Sequence, residues 1–373
     1  MIAPPRRALA SVVLALACAA SLTACGRISG DDRAIGDATV GHAELDGLTV
    51  DVANGLGAVR ELARDRLTVR ASAPSIELTL TVDAGAAGPA RITIENALGD
   101  ATLTSPTLAL AAPLPRPRPT TLVQDVTLTA GTHTLALAPP DDVPGPFRFV
   151  AFGDIQTGLP TVDDVFAEIA TVTPPPRFVV FMGDLTERAE EDEYELADDQ
   201  LTTLSIPFYA TLGNHELWAD PARYRARYGR ASYQFTYRDV AFTFVDSGDA
   251  GLAPAVEDEL DGWLAAARDR VHVFLTHFPP IDPVGTRYGS FRSRRDAHRL
   301  LEKLAAAGVD LTLYGHVHSY LQFENAGIPA FISGGGGARP ERWDGVGRHF
   351  LVVDIAPTGR PTVGIHRVEP EGP

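Results

Sequence analysis

Two aspartates, an asparagine and four histidines between residues 154 and 318 each follow an apolar run that reads as a buried strand. Phe147 to Phe152 ends in Gly153-Asp154, Phe178 to Met182 in Gly183-Asp184, and Pro207 to Leu212 in Gly213-Asn214-His215-Glu216. Val271 to Thr276 ends in His277, and Leu311 to Tyr314 in Gly315-His316-Val317-His318. Carboxylate and amide oxygens combined with imidazole nitrogens make a mixed donor set that suits Zn, Mn or Fe. A glycine before Asp154, Asp184, Asn214 and His316 is expected to let the backbone turn sharply and carry the next side chain inward.

Positioning such a set takes buried strands joined by crossovers. A helical stretch from Val162 to Ala170 follows the first strand, and the repetition predicts an α/β architecture with its site at the strand ends. The preceding hundred or so residues have a different texture. Ile76, Leu78, Leu80 and Val82 alternate with Glu77, Thr79 and Thr81, and the same period recurs around Ile92 and Val126. Alternation marks strands with one buried face, so residues 41–146 read as a small all-β sandwich. The stiff proline-rich stretches at 113–119 and 139–146 read as connectors, the second ending that domain; residues 147–373 form the next.

Arg6 and Arg7 precede an apolar stretch from Ala8 to Ala20, too short to span a bilayer, and Leu22-Thr23-Ala24-Cys25 follows. This resembles a bacterial lipobox, which implies a signal peptide over 1–24, lipid on Cys25, and anchoring at the cell envelope outside the cytoplasm. Cys18 then leaves with the signal and no disulfide can form. Residues 25–40, rich in Gly, Asp and Ser, read as a flexible tether. With 48 acidic against 32 basic side chains, nucleic-acid binding is not expected, because phosphate-backbone affinity rests on clustered Lys and Arg.

Taken together, Gly153-Asp154-Ile155-Gln156, Gly183-Asp184, Gly213-Asn214-His215-Glu216, His277 and Gly315-His316-Val317-His318 resemble the calcineurin-like metallophosphoesterase family, over roughly residues 147–355. The resemblance implies a four-layer sandwich, two central β-sheets flanked by helices. It implies that Asp154, Gln156 and His318 hold one metal ion and Asn214, His277 and His316 the other, with Asp184 bridging. The ions would be divalent or trivalent Mn, Zn or Fe. Water activated between them would attack the phosphorus of a phosphate mono- or diester, with His215 assisting the leaving group. Glu216 would either orient neighbouring groups or act as a structural hydrogen-bonding carboxylate. The alternative is a surface lipoprotein using an inactive scaffold of this kind for binding. Two departures stand out. Gln156 occupies a position where much of the family has histidine, and Glu187 stands where purple acid phosphatases, which resemble this family, carry a tyrosine.

Weaker signals surround this set. Glu187 to Asp199 is densely acidic and reads as a solvated helix face, and His42 and His133 lack partners at ligand spacing. Among the arginines after His277, Arg287 and Arg294 are candidates for a substrate phosphate, an ordinary amphipathic helix being the other reading. Gly334 to Gly337 could bring main chain close to a ligand.

Overall fold

A computed structural model describes residues 28–286, 288–356 and 360–368; the leader with Cys25, and Arg287, lie outside these. No helix among the described residues is long and apolar enough to cross a membrane.

The stretch expected as a tether contains helix α1, Gly30–Asp37, docked on the fold. Ser29 caps it by accepting from the backbone N–H of Asp32. Its Arg33 is 2% exposed and pairs with Asp246 at 2.6 Å and Asp249 at 2.8 Å. Asp37, also buried, accepts the backbone N–H groups of Ala231 and Ser232. These partners lie about two hundred residues downstream, so no local signal could announce the helix.

The alternating strands form the expected sandwich. They are β1 His42–Leu45, β2 Leu48–Val52, β3 Gly57–Ala63, β4 Arg66–Ala71, β5 Ile76–Val82, β6 Gly88–Glu95, β7 Thr102–Thr104, β8 Leu122–Leu128 and β9 Gly131–Ala138. One sheet has the order β1-β2-β5-β9-β7 and the other β3-β4-β6-β8. In β5 the four apolar side chains are buried while Glu77 and Thr81 are exposed, as a period of two requires. The sandwich is tied to the next domain by buried Asn96, which donates to the carbonyl of Phe208 and accepts from its N–H.

The following domain has strands β10 Phe147–Phe152, β11 Val179–Phe181, β12 Phe208–Ala210, β13 Tyr233–Tyr237, β14 Val240–Val245, β15 Val271–Thr276, β16 Leu311–Tyr314, β17 Tyr320–Asn325, β18 Ile328–Ser333, β19 His349–Ile355 and β20 Thr362–Arg367. They make two sheets, β12-β11-β10-β19-β20 and β13-β14-β15-β16-β18-β17. Phe149 and Phe178 of the first meet Phe242 of the second with ring centroids 5.1 and 5.4 Å apart, both edge to face. Removing one such ring, as in Phe149→Ala, would cost about 3–5 kcal/mol. The outer face of the first sheet buries Phe152 and Phe181 against α2 Asp163–Thr171 and α3 Glu191–Leu201. Helix α4, Ala222–Tyr228, adds Tyr224 to that layer. The second sheet buries Phe274 and Tyr314 against α5 Pro254–Ala266 and α6 Arg294–Ala307. Helix, sheet, sheet, helix is the four-layer arrangement that the resemblance implied.

Candidate metal centre

The strand ends of the two sheets meet at one rim. Asp154, following β10, is fully buried; its Oδ2 accepts the backbone N–H of His316 at 2.9 Å and its Oδ1 lies 3.4 Å from Nε2 of His318. Asp184, following β11, is 1% exposed. Its Oδ1 accepts the N–H of His215 at 2.9 Å, and its Oδ2 lies 2.6 Å from Nε2 of Gln156 and 3.2 Å from Nε2 of His277. Oδ1 of Asn214 and Nδ1 of His316 also approach that imidazole, at 3.1 and 3.2 Å. The seven expected ligands thus form one connected network.

The glycines do a different job from the one expected. Only Gly183 of the four has positive φ, at 86°. At Gly213 an added Cβ would collide with Oδ1 of Asp184, and at Gly315 with Oδ2 of Asp154, so these positions keep space for the carboxylates. The unusual backbone belongs to the candidate ligands themselves: φ is 65° at Asp154, 42° at Gln156, 61° at Asp184 and 68° at His316. Non-glycine residues are rare in this left-handed region, and such strain gathers where surrounding structure enforces it for function.

Outer-shell hydrogen bonds orient the rings. Nδ1 of His277 donates to the carbonyl of Met182 at 2.7 Å and Nδ1 of His318 to that of Arg339 at 2.8 Å. His316 is turned the other way, with Nε2 donating to the carbonyl of Tyr288 at 2.7 Å. Neutral rings held like this present lone pairs at Nε2 of His277 and His318 and at Nδ1 of His316. At His277 that lone pair faces three others, on Asp184, Asn214 and His316. Four lone pairs within hydrogen-bond distance repel unless a cation or proton sits among them. Burial opposes a charged ring at His277, yet Asp184 outweighs it and raises the pKa to about 9. His318 is likewise raised to about 9, by Asp154 against burial, whereas burial and the charge on His277 lower His316 to about 4. Asp184, despite burial, is held well below the usual carboxylate range by His277 and His215. These donors converge on a place that suits a metal ion. Ligand atoms of Asp184, His277 and His316 lie within 4.8 Å of one another, and the residues present fit metal binding.

The backbone N–H of His215 bonds to Asp184, but its ring turns to other partners. Its Nδ1 donates to the backbone carbonyl of Glu187 at 2.6 Å, and its ring stacks on Trp218, centroids 6.1 Å apart. Nε2 remains as the nitrogen available to a substrate. Glu216, fully buried, accepts the N–H groups of Asp184, Thr186 and Gly213 at 3.0, 3.0 and 2.7 Å. Of its two expected roles the geometry shows the structural one: it clamps the loops carrying Asp184 and Asn214.

Beside the centre is a cavity of about 770 Å³ whose lining includes Asn214, Trp218, Phe278, Tyr288, Arg292 and His316. Arg294, expected to bind phosphate, is the exposed first residue of α6 and does not line it; Arg287 lies outside the described residues. Arg292 is the arginine at the cavity, which the spacing of the arginines alone could not single out. Gly334 to Gly337 brace Asp154: Gly336 donates to the carbonyl of Gly153, and Ala338 to that of Asp154. Much of the acidic run is α3, with a Glu190–Glu193 capping box. His42 is exposed and pairs with Asp51; His133 is buried against the carbonyl of Thr129.

Comparison with known proteins agrees with this reading of the rim. Residues 147–320 match the family described as calcineurin-like phosphoesterase. Over 211 residues the chain is 25% identical to glycerophosphodiester phosphodiesterase GpdQ of Enterobacter lignolyticus, covering 50% of this chain and 72% of that protein. A stretch of 48 residues is 38% identical to probable glycerophosphodiester phosphodiesterase GpdQ of Arcobacter nitrofigilis, but spans only 13% of this chain and 18% of that relative. Among solved structures, purple acid phosphatase PPD1 from yellow lupin (Lupinus luteus) seeds shares the fold, with a TM-score of 0.52 at 14% identity, covering 79% of this chain and 70% of that one.

Proposed function

Residues 147–320 are a calcineurin-like phosphoesterase domain, and from that premise we propose that the chain is a phosphodiesterase held at the outer side of a membrane by lipid on Cys25. Such domains are metal-dependent phosphoester hydrolases that generally use a dinuclear metal centre. The observation that carries the reading is the convergence of lone pairs from Asp184, Asn214, His277 and His316 at the edge of a cavity.

When bound, the metal ions supply Lewis acidity, offsetting phosphate charge and acidifying water. Asp154, Gln156 and His318 would hold one ion, Asn214, His277 and His316 the other, and Asp184 both. The chain's own groups do the rest. Water gives up a proton to solvent, the bond from its oxygen to phosphorus forms as the bond to the leaving oxygen breaks, and the leaving oxygen takes the Nε2 proton of His215 in its imidazolium form, which solvent then restores. The carbonyl of Glu187 and the ring of Trp218 fix that imidazole. Arg292 stands at the cavity to meet a phosphate oxygen.

Two features favour a diester. The relatives named above are glycerophosphodiester phosphodiesterases. Among the described residues the cavity lining holds one arginine, Arg292, and one carboxylate, Asp220, and a singly charged diester asks less of such a wall than a doubly charged monoester. The Leu22-Thr23-Ala24-Cys25 pattern supports the anchor.

Purified protein assayed on bis(p-nitrophenyl) phosphate and p-nitrophenyl phosphate, with Mn, Zn, Fe or no metal, tests this. Metal-dependent turnover with the diester faster is expected. Full turnover in protein shown by elemental analysis to hold no metal, or no turnover with any metal, overturns it.

A further inference from the structure

Nine large apolar side chains are exposed among the described residues, and five of them stand on three loops around the metal centre. Trp218, 69% exposed, is four residues beyond Asn214. Ile281, Val284 and Tyr288 belong to the loop after His277, pinned at its base by the bond from Phe291 N–H to the carbonyl of Pro279. Trp343 belongs to the loop whose Arg339 carbonyl and Glu341 N–H both bond to His318. The other four are scattered: Leu45 on the sandwich, Val143 on the connector, Ile35 on α1 and Ile365 on β20. Trp218 and Tyr288 also line the cavity, but Ile281, Val284 and Trp343 have no part in the site described above, and exposed apolar groups on neighbouring loops mark an interaction surface.

The chain's own N-terminus identifies the partner. Ile28 lines the cavity, and its carbonyl accepts from Nη1 of Arg33, the buried arginine paired with Asp246 and Asp249. Cys25 stands only three residues before Ile28 in the sequence. Lipid carried on Cys25 would therefore enter a bilayer close to the cavity mouth. Tryptophan and tyrosine are the side chains that favour the headgroup level, where the ring is apolar and its edge hydrated. The net charge of −16 opposes adsorption to anionic lipid and leaves a zwitterionic surface as the better match.

We propose that the loops carrying Trp218, Ile281, Val284, Tyr288 and Trp343 are a docking surface for a zwitterionic bilayer, so that the metal centre works at the membrane surface. This rests on the anchored phosphodiesterase reading, but the two can be tested apart. The Cys25→Ser chain, prepared without leader residues 1–24, is sedimented with sucrose-loaded phosphatidylcholine vesicles and assayed in parallel on bis(p-nitrophenyl) phosphate. Pelleting of this unlipidated protein is expected. The pair Ile281→Asp with Val284→Asp, and separately Trp343→Asp, should weaken vesicle binding tenfold or more with unchanged turnover of the dissolved diester, which also reports an intact fold. Leu45→Asp, on the sandwich, should bind as the parent does. Failure of the parent to pellet, or equal pelleting of every variant, overturns the docking surface and leaves the activity standing. Selective loss of pelleting with no diester turnover in any protein supports the docking surface and removes the activity.

Discussion

The side-chain amide of Gln156 donates to Oδ2 of Asp184 across 2.6 Å, so the residue that departs from the family's usual histidine satisfies the carboxylate expected to bridge two metal ions. A neutral donor there steadies Asp184 before any cation arrives.

Gln156→Glu would put a like charge against Asp184. The apo protein should melt several degrees lower in chelator, and added Mn or Zn should restore it, because cations that bind only the folded state add stability by linkage. Differential scanning fluorimetry with and without metal measures both effects. Equal melting temperatures for the variant and wild type in chelator would place Gln156 away from the bridging carboxylate.

His215→Ala should lower turnover by roughly a hundredfold or more, the usual scale for one acid-base group, while elemental analysis finds wild-type metal content. The structure holds its ring on the carbonyl of Glu187, outside the contacts linking the ligands. Loss of a metal ion from the variant would make it a ligand.

Glu216→Ala should destabilise the fold by about 3 kcal/mol, since three buried N–H groups lose their acceptor and each unmade bond costs about 1–3 kcal/mol, partly recovered by water. Metal affinity should fall too, as Asp184 and Asn214 lose their common clamp. A denaturation midpoint and metal titration both at wild-type values would reduce Glu216 to a bystander.

Asp37 gives the docked helix a pH dependence. Burial raises its pKa to about 7, against two backbone N–H bonds and Arg230, which lower it, with Asp246 adding to the rise. The folded chain then holds this proton more tightly than the unfolded one, so the group's contribution to stability declines as pH rises from about 4 to 7 and stays low above 7. Asp37→Asn keeps an oxygen for Ala231 and Ser232 without the charge. It should therefore gain stability relative to wild type at pH 8 and show no such gain at pH 4. Parallel thermal melts across that range check it, and a constant offset would show that Asp37 does not titrate there.

Strands β10, β15 and β16 run between the residues their apolar patterns predict, because each is a continuous buried run closed by a polar residue. Strands β11 and β12 are shorter than expected: Met182 and Leu212 are buried but lie beyond the strands, next to the turns that place Asp184 and Asn214. Most of the candidate ligands follow five buried strand ends in order and are legible there, whereas Gln156 enters only through the family resemblance. The wall of the cavity is not legible, since Ile28, Trp218, Tyr288 and Arg292 come from loops and a helix approach with no period. Helix α1 has a polar, glycine-containing sequence that reads as a tether, and what holds it in place is a salt bridge to a distant residue.

Strand β10 lies between β11, which it meets in parallel, and β19, which it meets antiparallel with Phe147 opposite Ile355. During synthesis the first strand of the domain therefore waits for almost the last. Until residues 349–355 are available, one edge of β10 has unpaired N–H and C=O groups in its most apolar segment, the kind of edge that recruits other chains. Pairing across some two hundred residues also makes closure of this sheet a late and slow event. The vulnerable period in the life of this protein is thus set by the distance along the chain from Phe147 to Ile355, and any factor that shields β10 in the interval acts on yield rather than on the stability of the finished fold.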